Sequence, residues 1–457
     1  MQNQITEGIY SESKGTVGKN IECNQCGGTK CFSNDVKGCS GRLQFSDWLE
    51  NAMLDTQLSC RPVAVMCLGL SGLDSLDCEP EVKEAIAQEA GKRIKSVMRR
   101  SDKISRVSAS EYYVLAKDFS HVSFIDKVSG RVLKALSQPF KIGEKEYSIS
   151  SSAGCAFYPF DGEDKDRLIS NAKKAMYASE RNSASTLGFF SADRREEMLE
   201  RLRITNLLCS AIGNRELEIY YQPQIDAQTG AVTGLEALTR WNHPEFGLIM
   251  PSDFIPVAEK SGLIMMIGKW VAEEACRQNK LWQDMGFDIC PISINLSGRQ
   301  FEEPGLAIVI NDILKESGLA ANFLRVEVTE SVSLLKVPEA DKALRDFKEF
   351  GIGISLDDFG IGCSSFRYLK VIPACAIKID KSFVRGIGSS REDEAIIRCI
   401  LSLARDLRIE AIAEGVETKE QFDFLRIAGC NTIQGYYFHK PLPASEIEKL
   451  LIKKTQN

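Results

Sequence analysis

Apolar and polar positions along the chain alternate between two periods. The β-branched runs PVAVMCLGL, EYYVLAKD and YSISSSAGCAFYP read as strands. EVKEAIAQEAGKRIKSVM and DRLISNAKKAMYASE carry the 3.6-residue period of amphipathic helices. Strand and helix alternate over residues 35–190, which predicts an α/β sandwich of mixed strands and helices. Residues 191–207 open SADRREEMLERLRITNLLCSAI, where Met198, Leu199, Leu202 and Leu208 sit near helical spacing among charges of both signs. This predicts a connecting helix that transmits motion or supports dimerisation, with a passive linker as the plainer alternative.

A different rhythm fills residues 208–457. EIYYQPQI, GLEALTRW, PISINLS, LRVEVTE, IGISLDD, CAIKID, IEAIAEGV and TIQGYYF are strand-like, and helical stretches separate them. Examples are DFIPVAEKSGLIMMIGKWVAEEACRQNKLW and EDEAIIRCILSLARDL. Such alternation over about 250 residues predicts a (β/α)8 barrel. The runs stop at chemically useful side chains: Glu236, Asn295, Glu327, the pair Asp357–Asp358, Lys378, Glu414 and Gln434. One acidic residue at a strand end is ordinarily a solvated rim charge or a helix cap. Recurrence on successive strands marks the rim where such barrels place an active site.

Composition narrows the class. The 457 residues are 44% hydrophobic and 26% charged, ordinary for a globular chain with room for two or three domains. No apolar run approaches the ~20 residues of a membrane span. MQNQITEGIYSESKG has neither the basic flank nor the apolar core of a secretory signal, so the expected compartment is the cytoplasm. A net charge of −6 argues against a nucleic-acid-coating protein and requires local cations for any phosphate substrate. Of the fifteen cysteines, Cys67, Cys155, Cys276 and Cys399 lie singly in apolar segments and read as buried, reduced thiols. Residues 1–34 are polar and carry Cys23, Cys26 and Cys31, followed by Cys39. The CxxC spacing suggests zinc or a cluster. It fits no standard finger and has no histidine near, so the expectation is an unstructured cysteine-bearing tail.

Carboxylates and an amide oxygen, without cysteine or histidine, suit magnesium or manganese. Glu236, Asn295, Glu327 and Asp357 could surround one ion, and Asp358 could reach a second. Two such ions clamp a phosphodiester, activate a water and stabilise the leaving oxygen. Lys378 adds a cation and Glu414 a candidate base. Arg240, four residues beyond Glu236, can meet a phosphate with its planar fork.

These residues sit in motifs that resemble a known family. YYQPQID, GLEALTRW, WNHPEFGLIMPSDFIPVAEKSGLI, INLS, VEVTES, LDDFG, IKID, AEGVE and QGYYF match, in order, the EAL-domain cyclic di-GMP phosphodiesterases over roughly residues 203–451. The resemblance implies hydrolysis of cyclic di-GMP to linear pGpG with Mg2+ or Mn2+, and a homodimer formed through this domain. It implies that Glu236, Asn295, Glu327 and Asp357 bind one metal and Asp358 the second. Lys378 would contact the attacking water or its metal surroundings, and Glu414 would be a general base or a second-site ligand. Glu330 would hold the loop after Asp358, and Glu417 would be a support beside the substrate site. Gln222, Leu238, Arg240 and Gln434 would line the dinucleotide site, with Arg240 on a phosphate. The chain departs from the family at Ile361 and Cys363, where DFGIGCSS stands for the usual DFGTGYSS.

Residues 35–190 resemble the GGDEF diguanylate cyclase domain through DVKGCSGRLQF, AGCAFYPFDGED and NAKKAMYASERN. The signature itself is degenerate and reads Ser108-Ala109-Ser110-Glu111-Tyr112. Gly69 and Ser71 stand where the family has aspartates, so no cyclase activity is expected. Arg99-Arg100-Ser101-Asp102 has the RxxD pattern of the family's product-binding site, which makes Arg99 and Asp102 a possible regulatory nucleotide site. The alternative to a phosphodiesterase is a non-catalytic cyclic di-GMP receptor that uses both domains for binding.

Overall fold

The structure is a computed structural model, and it describes residues 39–59, 62–117, 119, 123–182, 187–190, 195–329, 338–361 and 372–455. The CxxC cysteines Cys23, Cys26 and Cys31 lie outside the described residues, as do Glu330 and Cys363. The chain divides into two compact units, Met1–Leu202 and Arg203–Asn457.

The first unit runs α1 (Cys39–Ser59), β1 (Val63–Ser71), α2 (Pro80–Val97), β2 (Lys103–Arg106), β3 (Glu111–Lys117), α3 (Ser123–Leu136), β4 (Phe140–Ile142), β5 (Lys145–Tyr147), β6 (Ser150–Tyr158), α4 (Lys165–Asn182) and β7 (Leu187–Phe189). Five strands form one sheet in the order β2-β3-β1-β6-β7. Central β1 is antiparallel to both β3 and β6. Its alternating side chains feed two cores. Ala64, Met66, Leu68 and Leu70 join one, with Ile86, Val128 and Phe157. Val63, Val65 and Cys67 join the other, with Phe45, Tyr113 and Met176. A strand covered on both faces must be apolar throughout, which is why PVAVMCLGL shows no alternation in sequence. Helix α5 (Arg195–Asn214) follows, as its spacing predicts.

The second unit runs β8 (Leu217–Asp226), β9 (Val232–His243), β10 (Gly247–Ile249), α6 (Pro251–Ser261), α7 (Ile264–Asp284), β11 (Ile292–Leu296), α8 (Leu306–Ser317), β12 (Leu324–Thr329), α9 (Pro338–Glu349), β13 (Gly353–Phe359), β14 (Ala376–Ile379), α10 (Lys381–Arg385), α11 (Arg391–Leu407), β15 (Glu410–Ala413), α12 (Lys419–Ala428), β16 (Thr432–Ile433), β17 (Leu442–Pro443) and α13 (Ala444–Thr455). The strand order β9-β11-β12-β13-β14-β15-β16-β8 closes on itself through the β8–β9 pairing, giving the eight-stranded barrel. All neighbours are parallel except at β8, which runs antiparallel to β9 and to β16. The direct turn between β8 and β9 causes this reversal, because a parallel crossover needs a dozen or more residues.

Three sequence expectations change in detail. The long helical stretch from Asp253 is two helices. Gly262 takes φ 82° and ends α6 in a left-handed cap, so α7 starts afresh. The last barrel strand is only Thr432–Ile433, since the chain turns at Gly435 and Tyr437 donates its N–H to the Val416 carbonyl. Cys399 is exposed rather than buried. On α11 the buried stripe is Ile397, Ile400, Leu401 and Ala404, and the 3.6-residue period turns position 399 outward. That helix starts where Ser390 Oγ accepts the Asp393 N–H at 3.1 Å, with Glu392, Asp393 and Glu394 in its first turn. Its buried Ile and Leu side chains each contribute on the order of 2 kcal/mol to holding it on the barrel.

Candidate active site

Strand register gathers the predicted residues. Glu236 on β9 lies opposite Gln222 of β8 and Ser293 of β11. Asn295 of β11 lies opposite Glu327 of β12, and Thr329 opposite Asp357 of β13. Glu414 follows β15 directly, and its N–H donates to the Ile379 carbonyl at 3.1 Å. The turn behind it needs Gly415, which has φ 66° and approaches so closely that a Cβ there would meet Lys381 Cβ at 2.5 Å.

Asp357 and Asp358 are neighbours on one strand, where successive side chains normally point to opposite faces. The register shifts between Leu356 and Phe359, and Asp358 takes the left-handed φ of 52°. This bulge turns Asp358 back toward its neighbour. One carboxylate oxygen each from Asp357, Asp358 and Glu414 lies within 4.8 Å of the others.

Lys378 stands among the carboxylates, 1% exposed. Its ammonium bonds Glu327 and Glu414 and lies 3.2 Å from Asp357 Oδ1 and 3.5 Å from Glu236 Oε1. Asn295 donates to Glu236 Oε1 at 2.8 Å, and Gln434 donates to Glu236 Oε2. An ammonium has three donors. They cannot serve four carboxylates, and Glu327 Oε1 is buried with no hydrogen-bond partner among the described residues. Buried charge without compensation is costly. The oxygen-only set with one orphaned carboxylate oxygen therefore fits a hard divalent cation.

The titration behaviour follows from this crowding. Burial opposes ionisation of Glu236, but Lys378 and the Gln434 and Asn295 hydrogen bonds outweigh it and hold its pKa below the ordinary value. Burial and the neighbouring Glu236 push Glu327 well above it. Burial, Asp357 and Asp380 raise Asp358 to about 6. Burial, with Asp357 and Glu236 against the pull of Lys378, raises Glu414 to about 8. Burial disfavours the charged Lys378, yet the surrounding carboxylates hold its pKa well above normal.

For Asp358 and Glu414 the folded pKa exceeds the unfolded one, so the folded state binds their protons more tightly. Their contribution to stability is complete at low pH and is lost as pH rises through about 6 and then about 8. A cation bound at these carboxylates would replace those protons. The rise in Tm on adding Mg2+ should therefore grow between about pH 6 and about pH 8. A rise that is flat across this window would contradict it.

Other predicted residues take distinct places. Gln222 is buried; its Nε2 donates to the His439 carbonyl and its Oε1 accepts from Gln434, both at 3.1 Å. Arg240 is buried, donates to the Thr239 carbonyl at 2.8 Å and faces the Tyr220 ring at 5.6 Å. Leu238 lies opposite Tyr220 and is half-buried. Glu417 is exposed, and its N–H donates to Gln421 Oε1 at the start of α12. Ile361 is exposed. Sequence reasoning missed Asp380, buried at the N-cap of α10, where it accepts the Ser382 N–H at 2.7 Å and helps to raise the Asp358 pKa. The signal was present in the alternation Ala376, Lys378, Asp380, which puts it on the face of Lys378. Also missed was Tyr436, 55% exposed and close enough to Arg240 to influence its charge.

Residues 206–441 match the EAL domain model, which is more than half of the chain. The chain belongs to the EAL domain family. Ahead of the EAL domain, residues 40–186 match the diguanylate cyclase GGDEF domain. The bifunctional diguanylate cyclase/cyclic di-GMP phosphodiesterase MucR of Pseudomonas aeruginosa is 36% identical over 408 residues, 89% of this chain and 59% of that protein. The cyclic di-GMP phosphodiesterase NbdA of the same organism is 32% identical over 426 residues, 92% of this chain and 54% of that protein. The chain thus spans about half the length of the curated relatives it matches. The solved PaMucR phosphodiesterase in complex with c-di-GMP is 42% identical, with a TM-score of 0.52, over 54% of this chain and 99% of that one.

In the GGDEF domain, Gly69 lies opposite Glu111 on one side and Ser152 on the other. A Cβ at Gly69 would meet Ser152 Oγ at 3.0 Å and Met176 Sδ at 3.2 Å. Glu111 accepts from Lys173 Nζ at 2.8 Å and from the Tyr177 hydroxyl at 2.9 Å. The altered signature turn is closed by Ser108 Oγ, which accepts the Glu111 N–H at 3.0 Å. Asp102 accepts the Arg99 N–H at 3.0 Å, while the Arg99 guanidinium lies over Phe124, 3.5 Å from its ring centroid.

Proposed function

We propose that the EAL domain hydrolyses one phosphodiester of cyclic di-GMP to give linear pGpG, using Mg2+ or Mn2+, and that the GGDEF domain makes no cyclic di-GMP and has a regulatory role. The observation that carries the reading is the excess of buried carboxylate over cation around Lys378, with Glu327 Oε1 unpartnered among the described residues. Glu236, Asn295, Glu327 and Asp357 would hold one ion, and Asp358, with Glu414 nearby, a second. When bound, these ions supply the charge that draws the phosphoryl oxygens in and eases ionisation of the attacking water.

The chain's own groups do the rest. Arg240 and Glu236 lie on the same face of β9, four residues and therefore roughly 13 Å apart along the strand. This span suits a dinucleotide with one phosphate at the carboxylates and its remainder toward Arg240. The exposed Tyr436 ring beside Arg240 offers a face on which a base can stack. Lys378 holds the Glu327 and Glu414 carboxylates through its ammonium, and Glu414 takes the proton of the attacking water as the phosphorus–oxygen bond to the leaving ribose breaks. The ribose oxygen departs as an alkoxide that takes up a proton from solvent, and the proton on Glu414 is released to solvent, so the two transfers balance.

The inactive GGDEF assignment is supported by Gly69 and by Glu111, whose charge is already met by Lys173 and Tyr177. Two incubations test the proposal. Cyclic di-GMP with Mg2+ or Mn2+ should yield pGpG on chromatography, and GTP under the same conditions should yield no cyclic di-GMP. Cyclic di-GMP that binds and stays intact would establish the receptor reading instead.

A further inference from the structure

Beside the Glu236 carboxylate lies a group of three buried glutamines. Gln222, Gln224 and Gln434 are 8%, 1% and 4% exposed. Their amides have a fixed polarity. The His439 backbone carbonyl can only accept, so Gln222 turns its NH2 toward it and presents Oε1 to Gln434. Gln434 therefore points its NH2 at Gln222 Oε1 and Glu236 Oε2. Its own Oε1 faces away from the site, and Gln224 Nε2 donates to it at 3.1 Å. A buried amide oxygen without a donor is costly, and rotating the amide to find one would aim that oxygen at the Glu236 carboxylate. A second observation concerns space. Gly234 lies directly opposite Gln224 across the β8–β9 pair, and a Cβ on it would fall 2.2 Å from Gln224 Oε1. The absent side chain at 234 is the seat of the Gln224 amide.

We infer that Gln224 is a positioning residue for the hydrolytic site: seated over Gly234, it locks the Gln434 amide so that its NH2 holds Glu236 in the orientation that receives the metal. The inference deepens the phosphodiesterase reading and rests on it. Hydrogen-bond partners that orient a metal ligand typically change metal affinity by about 10- to 100-fold when lost.

The test uses the full chain and Mn2+ alone, titrated by electron paramagnetic resonance, beside kcat and KM for cyclic di-GMP. Gln224→Met keeps the volume and removes the donor. It should weaken Mn2+ binding by about 10-fold and lower kcat by a similar factor, with KM within about twofold. Gly234→Ala should do the same in the wild-type background and should cost little more in a Gln224→Ala background, where nothing remains to displace. Thermal melts of each variant separate this from misfolding, because a general packing defect lowers Tm without singling out Mn2+ affinity. Wild-type Mn2+ affinity and kcat in Gln224→Met, or an equal Gly234→Ala effect in both backgrounds, overturns the role of Gln224 alone. A wild-type chain that neither binds Mn2+ nor hydrolyses cyclic di-GMP overturns the underlying reading as well.

Discussion

Glu327→Gln should lower cyclic di-GMP turnover by about 10²- to 10³-fold, the scale on which loss of one element of a preorganised site is felt. The substitution keeps the volume of the side chain and its place on β12, so packing is disturbed little. It replaces one oxygen by an amide NH2, whose donors would oppose a cation rather than bind it. Glu327 is 1% exposed and bonds Lys378 through one oxygen, and its other oxygen has no hydrogen-bond partner among the described residues. Mn2+ stoichiometry and kcat are the paired measurements, and both should fall together. Glu236→Ala should abolish hydrolysis for the same reason, since Glu236 also sits between Asn295 and Gln434. Full turnover in either variant at saturating Mn2+ would remove these residues from the metal site.

The second large effect is on stability. Lys378→Met should destabilise the metal-free chain by about 3–5 kcal/mol, the usual cost of removing one partner from a buried charge cluster. The methionine fills much of the same space, but Glu236, Glu327, Asp357 and Glu414 then face one another without their shared cation. The deficit should grow as pH rises through about 8, where Glu414 ionises in the wild-type chain, and should shrink as pH falls and the carboxylates take up protons. Added Mg2+ should recover part of the loss without restoring kcat. Denaturant melts in chelator and in Mg2+ give both values. An unchanged midpoint in chelator would mean that Lys378 does not hold the cluster together.

Much of the barrel was legible along the chain, for a physical reason. Each strand must bury its flanks and end at a polar rim, so apolar runs stop at Glu236, Asn295, Glu327 and Asp357 in the sequence itself. The GGDEF strand PVAVMCLGL was legible because a central strand covered on both faces has no polar positions. Cys399 was misjudged because an apolar neighbourhood in sequence does not say which side of a helix a residue takes.

The sequence by itself determined the two α/β units, the eight strands of the second and the oxygen-only character of its rim. These depend on local periodicity and on side-chain chemistry, which are properties of the chain. Only the tertiary structure decided how the rim is assembled. The antiparallel entry of β8 sets Gln222 against Glu236 and Gln224 against Gly234. The bulge at Asp358 puts two successive carboxylates on one site. Lys378, buried within the cluster, is left with more carboxylates than an ammonium can satisfy. These features come from the closing of strands far apart in sequence, where register and space decide which groups meet.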